Sequence, residues 1–356
     1  MKLNRRIGTW VSWLAVLSLA VVFAGCSQQT SSSKKSSKAQ KIVLYSNSLS
    51  AGRGEWLKKE AAKAGFTITP VSMGGGEVIN RIISEKNKPV ADVVYGSSQF
   101  GLAKLEQKGL LKKFSVDWEK DLPKSDVQGN GYYYPLTKQI IVQIADSKTP
   151  KSDLPSAWLD LTASPAKYKD MVPNKTGING QTNQMVIATL LNKYKDTSAS
   201  DGVSPEAWPA IKNYFKNGKQ LGNPELFSHP IAAKKATVSY DFSSDLLGIK
   251  KVSNFDPQII NSTDGNPQVT EQVGVVKKSG DTKNAERFAQ WLGSAATQKK
   301  LAKQFNTWPV NKQAASAINP KEKALLKDIK TINIDKQWFN KNINKWIQKI
   351  SLNYFD

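Results

Sequence analysis

Cysteine, histidine and arginine are scarce in this chain. Its 356 residues include one cysteine, Cys26, one histidine, His229, and five arginines. A single cysteine excludes disulfide bonds within the chain, and one cysteine with one histidine cannot build the thiolate or imidazole cages that hold zinc. The same scarcity leaves His229 as the sole imidazole base for a serine or cysteine nucleophile. We therefore predict that the protein is not an enzyme and uses no metal or cofactor.

The basic charge of the chain comes almost entirely from lysine. Lysine and arginine total 51 against 29 acidic residues, which gives a formal net charge of +22. Arg5 and Arg6 lie at the start, so only Arg53, Arg81 and Arg287 remain in the body. Nucleic-acid readers rely on arginine forks and on aromatic side chains interleaved with basic residues, and neither pattern occurs here. The scattered lysines indicate a solvated surface with some attraction for anionic polymers, and no nucleic-acid partner is expected.

The N-terminal segment has the pattern of a secreted lipoprotein. A basic start is followed by the apolar stretch WVSWLAVLSLAVVF and by small residues, which is typical of a signal peptide and too short for a stable membrane span. The ending VFAGC at 22–26 resembles the lipobox of bacterial lipoproteins, whose cysteine carries lipid. We predict a signal peptide at 1–25, lipid on Cys26 and a Ser- and Lys-rich tether at 26–40. This places the protein on the extracellular face of a bacterial cell membrane.

Beyond the tether, short apolar strands alternate with helical patterns. Three strand–helix pairs are predicted between residues 41 and 109, and parallel strands joined by right-handed helical crossovers are the arrangement that such alternation favours. The alternation continues downstream, and the best long helix is predicted over 284–305. Further helices, each with an apolar face, are predicted at the C-terminus. The body is therefore predicted to be α/β.

Five segments of the body occur in an order that one family shares. After the first strand and helix come the glycine-rich turn SMGGGEVINRI (72–82) and the strand end VADVVYGSS (90–98). The helix start NKTGINGQTNQMVIATLL (174–191) and the late segment KNAERFAQWLGSAATQKKLAKQFNTWPVN (283–311) follow. Over about 42–312 the chain resembles the extracellular solute-binding proteins of ABC importers, in the group that contains iron(III), phosphonate, thiamine and polyamine receptors.

This resemblance implies the type II periplasmic-binding fold. Two lobes, each a mainly parallel sheet flanked by helices, enclose a ligand cleft and close about crossing strands. The implied lobes are 42–138 plus 270–312 and 139–269, with C-terminal helices at 313–356. The implied partners are ABC permease subunits with a separate ATPase, and the chain, a monomer, has no P-loop of its own.

Candidate ligand-binding residues lie where strands end and helices begin. Ligands of parallel sheets bind at the carboxyl ends of the strands, where helix N-termini offer free N–H groups. Each candidate has a structural alternative: an ordinary turn for the glycines and Asp264, helix capping for the serines and Asp241, and core packing for Tyr240. The candidates are Ser46, Asn47, Gly74, Gly75, Gly76, Ser97 and Ser98 from the first lobe, and Thr176, Gly177, Tyr240, Asp241 and Asp264 from the second.

The residues favour a small phosphonate or phosphate-type anion, such as 2-aminoethylphosphonate. Ferric receptors of the family use adjacent tyrosines late in the chain, whereas VSYDFSSD (238–245) has one tyrosine and the run at 132–134 lies too early. Polyamine receptors need several carboxylates in the cleft. The candidates in this chain, Glu77, Asp241 and Asp264, are too few for such a ligand. Glycine and serine loops with one acid suit an aminophosphonate, although arginine is scarce. Iron(III), polyamine or thiamine receptors, and a surface lipoprotein that binds anionic wall polymers, remain alternatives.

Overall fold

The structure, a computed structural model, covers most of the globular body. The described residues are 41–163, 167–168, 177–178, 180–219 and 227–354. The predicted signal peptide, Cys26 and the tether lie outside them, as does Thr176. Among the described residues, no helix has both the length and the apolar character needed to cross a membrane.

The strands form a mixed sheet in the order β2-β1-β3-β8-β5-β6, with β4 and β10 also paired to β8, and β7 and β9 paired to β5. The first three strands run parallel, as predicted, whereas β3–β8, β8–β5 and β5–β6 are antiparallel. The strands are β1 (Ile42–Ser46), β2 (Ile68–Ser72), β3 (Val93–Ser98), β4 (Leu111–Lys112), β5 (Tyr133–Asp146), β6 (Val238–Phe242), β7 (Pro257–Ile260), β8 (Asn266–Val276), β9 (Trp308–Pro309) and β10 (Thr331–Ile332).

Helices connect and cover these strands. The first three follow β1, β2 and β3 in turn, as the alternation predicts. The helices are α1 (Arg53–Lys63), α2 (Gly75–Ser84), α3 (Gln99–Gln107), α4 (Gln181–Asn192), α5 (Ala207–Asn217), α6 (His229–Ala232), α7 (Ile249–Ser253), α8 (Lys283–Gly293), α9 (Ala295–Phe305), α10 (Pro320–Leu326) and α11 (Lys336–Asn353), with short 3₁₀ segments at Asp117–Asp121, Lys151–Asp153, Trp158–Thr162, Leu246–Gly248 and Lys312–Ala317.

The single long helix predicted over 284–305 is two helices, α8 and α9. Ser294 between them has extended backbone angles, and its hydroxyl oxygen accepts a hydrogen bond from the Thr297 N–H, which caps α9. Gly293 packs so closely on Trp118 that a Cβ there would lie 2.0 Å from the indole ring. The break follows from this tertiary contact and from the cap, which helical periodicity alone does not show.

Strands β5 and β8 are long and pair with each other along much of their length. Successive side chains of a strand face opposite sides. On one side, Gln139 and Ile141 of β5 lie near Val269 and Glu271 of β8 and line a cavity. These two strands therefore carry the floor of the candidate site.

The buried apolar side chains form several clusters. These clusters lie in two groups, one on either side of the floor that β5 and β8 form. Two clusters are built from β1, β3, α1, α2, α3 and α8, and two from β6, α4, α5 and the far end of β5. Helix α11 joins the second group through Trp338, Phe339 and Trp346. Phe100 of α3 also packs there, with its ring 4.6 Å from that of Phe339. The C-terminal helix thus contacts elements from both sides of the floor.

Candidate functional site

A cavity of about 290 Å³ lies where α2, α3 and α4 begin. Gly74 and Gly75 at the start of α2, Ser98 at the start of α3, and Gly180 with Gln181 at the start of α4 all contribute to its wall. The first N–H groups of a helix have no intrahelical acceptor and carry the positive end of the helix dipole. Three helix N-termini therefore make this part of the wall favourable for an oxyanion.

Close packing of two strand ends shapes the same wall. Gly96 has φ +86°, and a Cβ there would lie 2.5 Å from the Cβ of Ser48, so only glycine fits. The Ser46 hydroxyl oxygen accepts a hydrogen bond from the Ser48 N–H at 3.0 Å. The Ser97 hydroxyl donates to Oδ1 of Asn47 at 3.3 Å. These contacts fix the loops after β1 and β3 at the cavity rim.

Arg53, the first residue of α1, supplies a cation to the cavity. Its side chain is 12% exposed, and its guanidinium carbon lies 5.4 Å from the centre of the Phe305 ring. Nη1 is 3.6 Å from Oε1 of Glu271, which is an ion pair and too long for a hydrogen bond. The Tyr95 hydroxyl also interacts with this guanidinium. The N–H donors of the fork that these neighbours leave free are available to an anion in the cavity.

Glu271 is the acidic partner of Arg53 on the floor, and its oxygens are occupied. Thr137 and Gln139 of β5 donate to its carboxylate at 2.8 and 2.9 Å, and the Ser48 hydroxyl donates as well. The carboxylate therefore ties β8, β5 and the loop after β1 together. The carboxylate balances part of the charge of Arg53. Because its hydrogen-bonding capacity is used within the protein, it has little capacity left to bind a ligand.

Two aspartates follow β6 on the opposite wall. Asp245 lines the cavity and accepts a long hydrogen bond, 3.3 Å, from the Ser244 hydroxyl. Asp245 is exposed at the cavity, and partial desolvation by the surrounding protein raises its pKa, while Arg53 acts in the opposite direction. Burial, followed by the neighbouring charge of Asp245, raises the pKa of Asp241 well above its ordinary value. This wall is therefore acidic and short of cations.

Glu322 of α10 adds a buried acid near Asp245. It is fully buried, and neither carboxylate oxygen has a hydrogen-bond partner among the described residues. Burial, with a smaller contribution from the charge of Asp245, raises the pKa of Glu322 to about 8. Glu322 is therefore protonated at neutral pH, and Asp245 is the acid of this group that faces the cavity.

The structure brings part of the predicted set together at the cavity. Asn47, Gly74, Gly75 and Ser98 line it. Ser46 and Ser97 are buried directly behind the rim, and Gly76 lines a neighbouring cavity.

The candidates predicted from the second lobe lie elsewhere. Gly177 is exposed and is not part of the cavity wall. Tyr240 is buried in the core and donates its hydroxyl to Asn183, and Asp241 lies behind Asp245. Asp264 accepts hydrogen bonds from the N–H groups of Trp158 and Leu159 and so caps a 3₁₀ segment.

Several wall residues escaped the sequence reasoning. Arg53 and Asp245 carry the free charges of the cavity, and Gln181 and Thr182 begin the facing helix. A signal existed for two of them: Arg53 follows a glycine at the start of a predicted helix, and Asp245 lies in the same acidic, serine-rich stretch as Asp241. Among the described residues, no group of three or more His, Cys, Asp or Glu side chains has the geometry to hold a metal ion.

Comparison with known proteins gives a consistent result. Residues 55–328 match the family model described as bacterial extracellular solute-binding protein. The chain is 28% identical to the probable ABC transporter periplasmic-binding protein y4fP of Sinorhizobium fredii, over 88% of this chain and 86% of that one. It is also 30% identical to a putative 2-aminoethylphosphonate-binding periplasmic protein of Salmonella typhi, over 45% and 46% of the two chains.

Solved structures share the fold. The apo ferric ion-binding protein A of Pasteurella haemolytica superposes with a TM-score of 0.73 at 18% identity, covering 89% of this chain and 99% of the other. At this identity the similarity concerns the fold, which is that of type II periplasmic-binding proteins. The relatives and the structural neighbour are solute-binding proteins and not enzymes.

Proposed function

We propose that this chain, which belongs to the bacterial extracellular solute-binding protein family and is a receptor of an ABC importer, binds a small phosphonate that carries an amine. The reference compound is 2-aminoethylphosphonate. The partial similarity to a protein of Salmonella typhi with that printed ligand supports the same chemical class.

One observation carries the proposal: the two walls of the cavity have opposite chemistry. Arg53 and three helix N-termini, two from the first lobe and one from the second, favour an oxyanion at one part of the cavity wall, and Asp245, which interacts with Arg53, offers a carboxyl group at another. A phosphonate needs several converging N–H donors, and an ammonium group needs a nearby carboxylate. A short molecule with both groups satisfies both walls at once. A simple anion brings no cation to Asp245, and a polyamine brings no anion to Arg53.

Capture proceeds by closure of two lobes about β5 and β8. The lobes are 42–138 plus 270–312 and 139–269. The ligand binds between the helix N-termini of the two lobes and shifts the equilibrium toward the closed form, which the permease subunits recognise. The receptor changes no covalent bond of the ligand, and a separate ATPase drives transport.

Lipid on Cys26 and the basic tether hold the receptor, as a monomer, at the outer face of the cell membrane. A single lipid chain binds membranes only marginally, whereas lipid together with a basic segment gives a stable anchor. Metabolic labelling with a fatty-acid probe tests this part separately. The label is expected on the native chain and lost from Cys26→Ala.

The ligand class is tested by titration calorimetry with 2-aminoethylphosphonate, ethylphosphonate, inorganic phosphate, spermidine and ferric citrate. The aminophosphonate is expected to bind at least about tenfold more tightly than each of the others, since only it uses both walls. Tighter binding of ferric citrate or spermidine overturns the proposed class. Small-angle scattering should show a smaller radius of gyration with ligand, and an unchanged radius contradicts closure.

A surface lipoprotein that binds anionic wall polymers is distinguished by salt. Binding of a polymer through scattered lysines weakens steeply with ionic strength, because the charges are exposed and screened. Binding in an enclosed cavity changes little between 50 and 300 mM salt, about threefold or less. If the protein binds an anionic polymer but none of the small molecules at the same salt concentration, the lipoprotein alternative is favoured.

A further inference from the structure

A second cavity of about 140 Å³ adjoins the first, and Gln181 lies between the two. Gln181 and Ser98 line both cavities. The second cavity is enclosed by α2, α3, α4 and α11, so it lies beyond the helix N-termini that hold the oxyanion. Its contents are therefore separated from the first cavity by the side chain at the start of α4.

Two glycines make room for the Gln181 side chain. A Cβ at Gly75 would lie 2.6 Å from Oε1 of Gln181, and a Cβ at Gly101 would lie 2.9 Å from its Nε2. Contacts this short do not occur between real atoms, so the amide would have to move if either glycine were replaced by a larger residue. No described residue makes a hydrogen bond with this amide. Packing alone holds it in place, and a shorter side chain opens the wall.

The second cavity is lined by amide groups, one ammonium group and several apolar side chains. Amide side chains line it at Asn80, Gln184, Asn340 and Asn344, together with the ammonium-bearing Lys104. Nδ2 of Asn340 is buried and has no hydrogen-bond partner among the described residues. An unpaired buried donor costs free energy until an acceptor reaches it. Amide donors and acceptors at this density suit a chain of hydroxyl groups.

We propose that Gln181 is a size filter: it confines the ligand to the first cavity, and the second cavity is a subsite for a hydroxylated extension of an oxyanion ligand. This inference rests on the proposed function, because it takes the oxyanion to be held at the helix N-termini. The native receptor therefore selects short ligands. Shortening residue 181 joins the cavities and admits a linear polyol phosphate.

Titration calorimetry with 2-aminoethylphosphonate and sorbitol 6-phosphate tests the filter. The native protein is expected to bind the short compound at least about tenfold more tightly than the long one. Gln181→Ala should raise the affinity for sorbitol 6-phosphate, taken relative to that for 2-aminoethylphosphonate, by about tenfold or more. Equal binding of both probes by the native protein, or no gain in the variant, overturns the inference.

Two further variants assign the gain to the second cavity. Gln184→Ala enlarges that cavity and leaves the wall intact, so it should give no gain. Adding Asn340→Ala to Gln181→Ala should remove most of the gain, because the polyol loses the donor at Nδ2. An undiminished gain in the double variant contradicts the subsite.

Failure of the proposed function gives a different result. If the native protein binds neither probe, the ligand class is wrong, and the filter is then judged from crystal structures of native protein and Gln181→Ala. A continuous cavity in the variant alone supports the partition. Continuous cavities in both, or in neither, overturn it.

Discussion

The two walls of the ligand cavity recognise charge by different means. On the oxyanion wall, backbone N–H groups at helix starts and the single guanidinium of Arg53 do the work, and glycines permit the close approach. On the acidic wall, the acids are side chains: Asp245 faces the cavity, and Asp241 and the protonated Glu322 lie behind it. Backbone donors are removed only by a substitution to proline, whereas each acid can be replaced by its uncharged amide. The acidic wall is therefore the adjustable half of the site and the oxyanion wall the fixed half.

The largest effect is expected from Arg53→Ala, because Arg53 is the one side chain that gives the fixed wall a full charge. Affinity for 2-aminoethylphosphonate should fall about 100-fold, or about 2.7 kcal/mol, since a desolvated charge pair with the phosphonate is lost. Calorimetry measures the loss. Arg53→Lys should recover part of the affinity, because the charge returns without the fork.

The control for this prediction is Arg81→Ala. The Arg81 side chain is 46% exposed, pairs with Glu85 at 2.9 Å, and touches the cavity wall through the sulfur of Met73. Its removal should change the affinity by less than about twofold. A similar loss in both variants means that general electrostatic attraction, and not the Arg53 fork, holds the ligand.

The next effect concerns stability and comes from Glu322→Gln. Native Glu322 keeps its proton up to a pKa of about 8, whereas the unfolded chain releases it near the ordinary value of 4.5. Between these values the unfolded state binds fewer protons, so native stability falls as pH rises. Glutamine does not titrate. In this pH range the free energy of unfolding of the variant, taken relative to that of the native protein, should therefore rise by up to about 1.4 kcal/mol per pH unit. Above pH 8 the difference should become constant.

Urea unfolding at pH 5, 6, 7 and 8 measures this difference. Asp241 and Asp245 titrate in both proteins and largely cancel in the comparison. The exposed Glu119 provides a control, since Glu119→Gln should stay within about 0.5 kcal/mol at every pH. A pH-independent difference for Glu322→Gln contradicts the protonated, unpartnered state of this acid.

The glycine and serine part of the fixed wall was predictable from sequence, whereas Arg53, the start of α4 and the adjustable wall were not. The glycine run before α2 and the serines after β3 mark strand–helix junctions, and local rules place such junctions at the ligand edge of a sheet. Asn47, Gly74, Gly75 and Ser98 accordingly line the cavity. The parallel order β2-β1-β3 follows from the same local alternation.

The acidic wall depends on distant pairings that local patterns do not encode. Tyr240 was considered as a cover for the ligand, yet it lies two residues before the end of β6, and Phe242 on the same face reaches the cavity instead. Asp245 enters the wall because the chain turns directly after β6. Glu322 arrives from a helix near the C-terminus. Only the completed fold brings these residues together.

A sharper test of the difference between the oxyanion wall and the acidic wall is Asp245→Asn. This variant removes the charge of the acidic wall and keeps its shape. Affinity for 2-aminoethylphosphonate should fall about tenfold, because the ammonium loses its ionic partner. Affinity for ethylphosphonate should stay within about twofold, since that ligand has no ammonium. Competition calorimetry with both compounds gives the ratio directly.

The matched control is Asp256→Asn. Asp256 is 56% exposed and pairs with Lys250 at the surface, so its loss should leave both affinities unchanged. If Asp245→Asn weakens both ligands equally, the aspartate supports the cavity structure and does not recognise the amine.

The smallest expected effect separates capping from ligand binding on the fixed wall. Ser98 caps α3 by accepting a hydrogen bond from the Gly101 N–H at 3.4 Å, and Ser294 caps α9 in the same way from Thr297 at 3.4 Å. Replacing either serine by alanine should lower the free energy of unfolding by about 1 kcal/mol. Only Ser98→Ala should also weaken both phosphonates, by about threefold to fivefold, since its hydroxyl lines the cavity. Equal affinities in the two variants, measured beside equal losses of stability, reduce Ser98 to a cap and leave the backbone donors and Arg53 to hold the oxyanion.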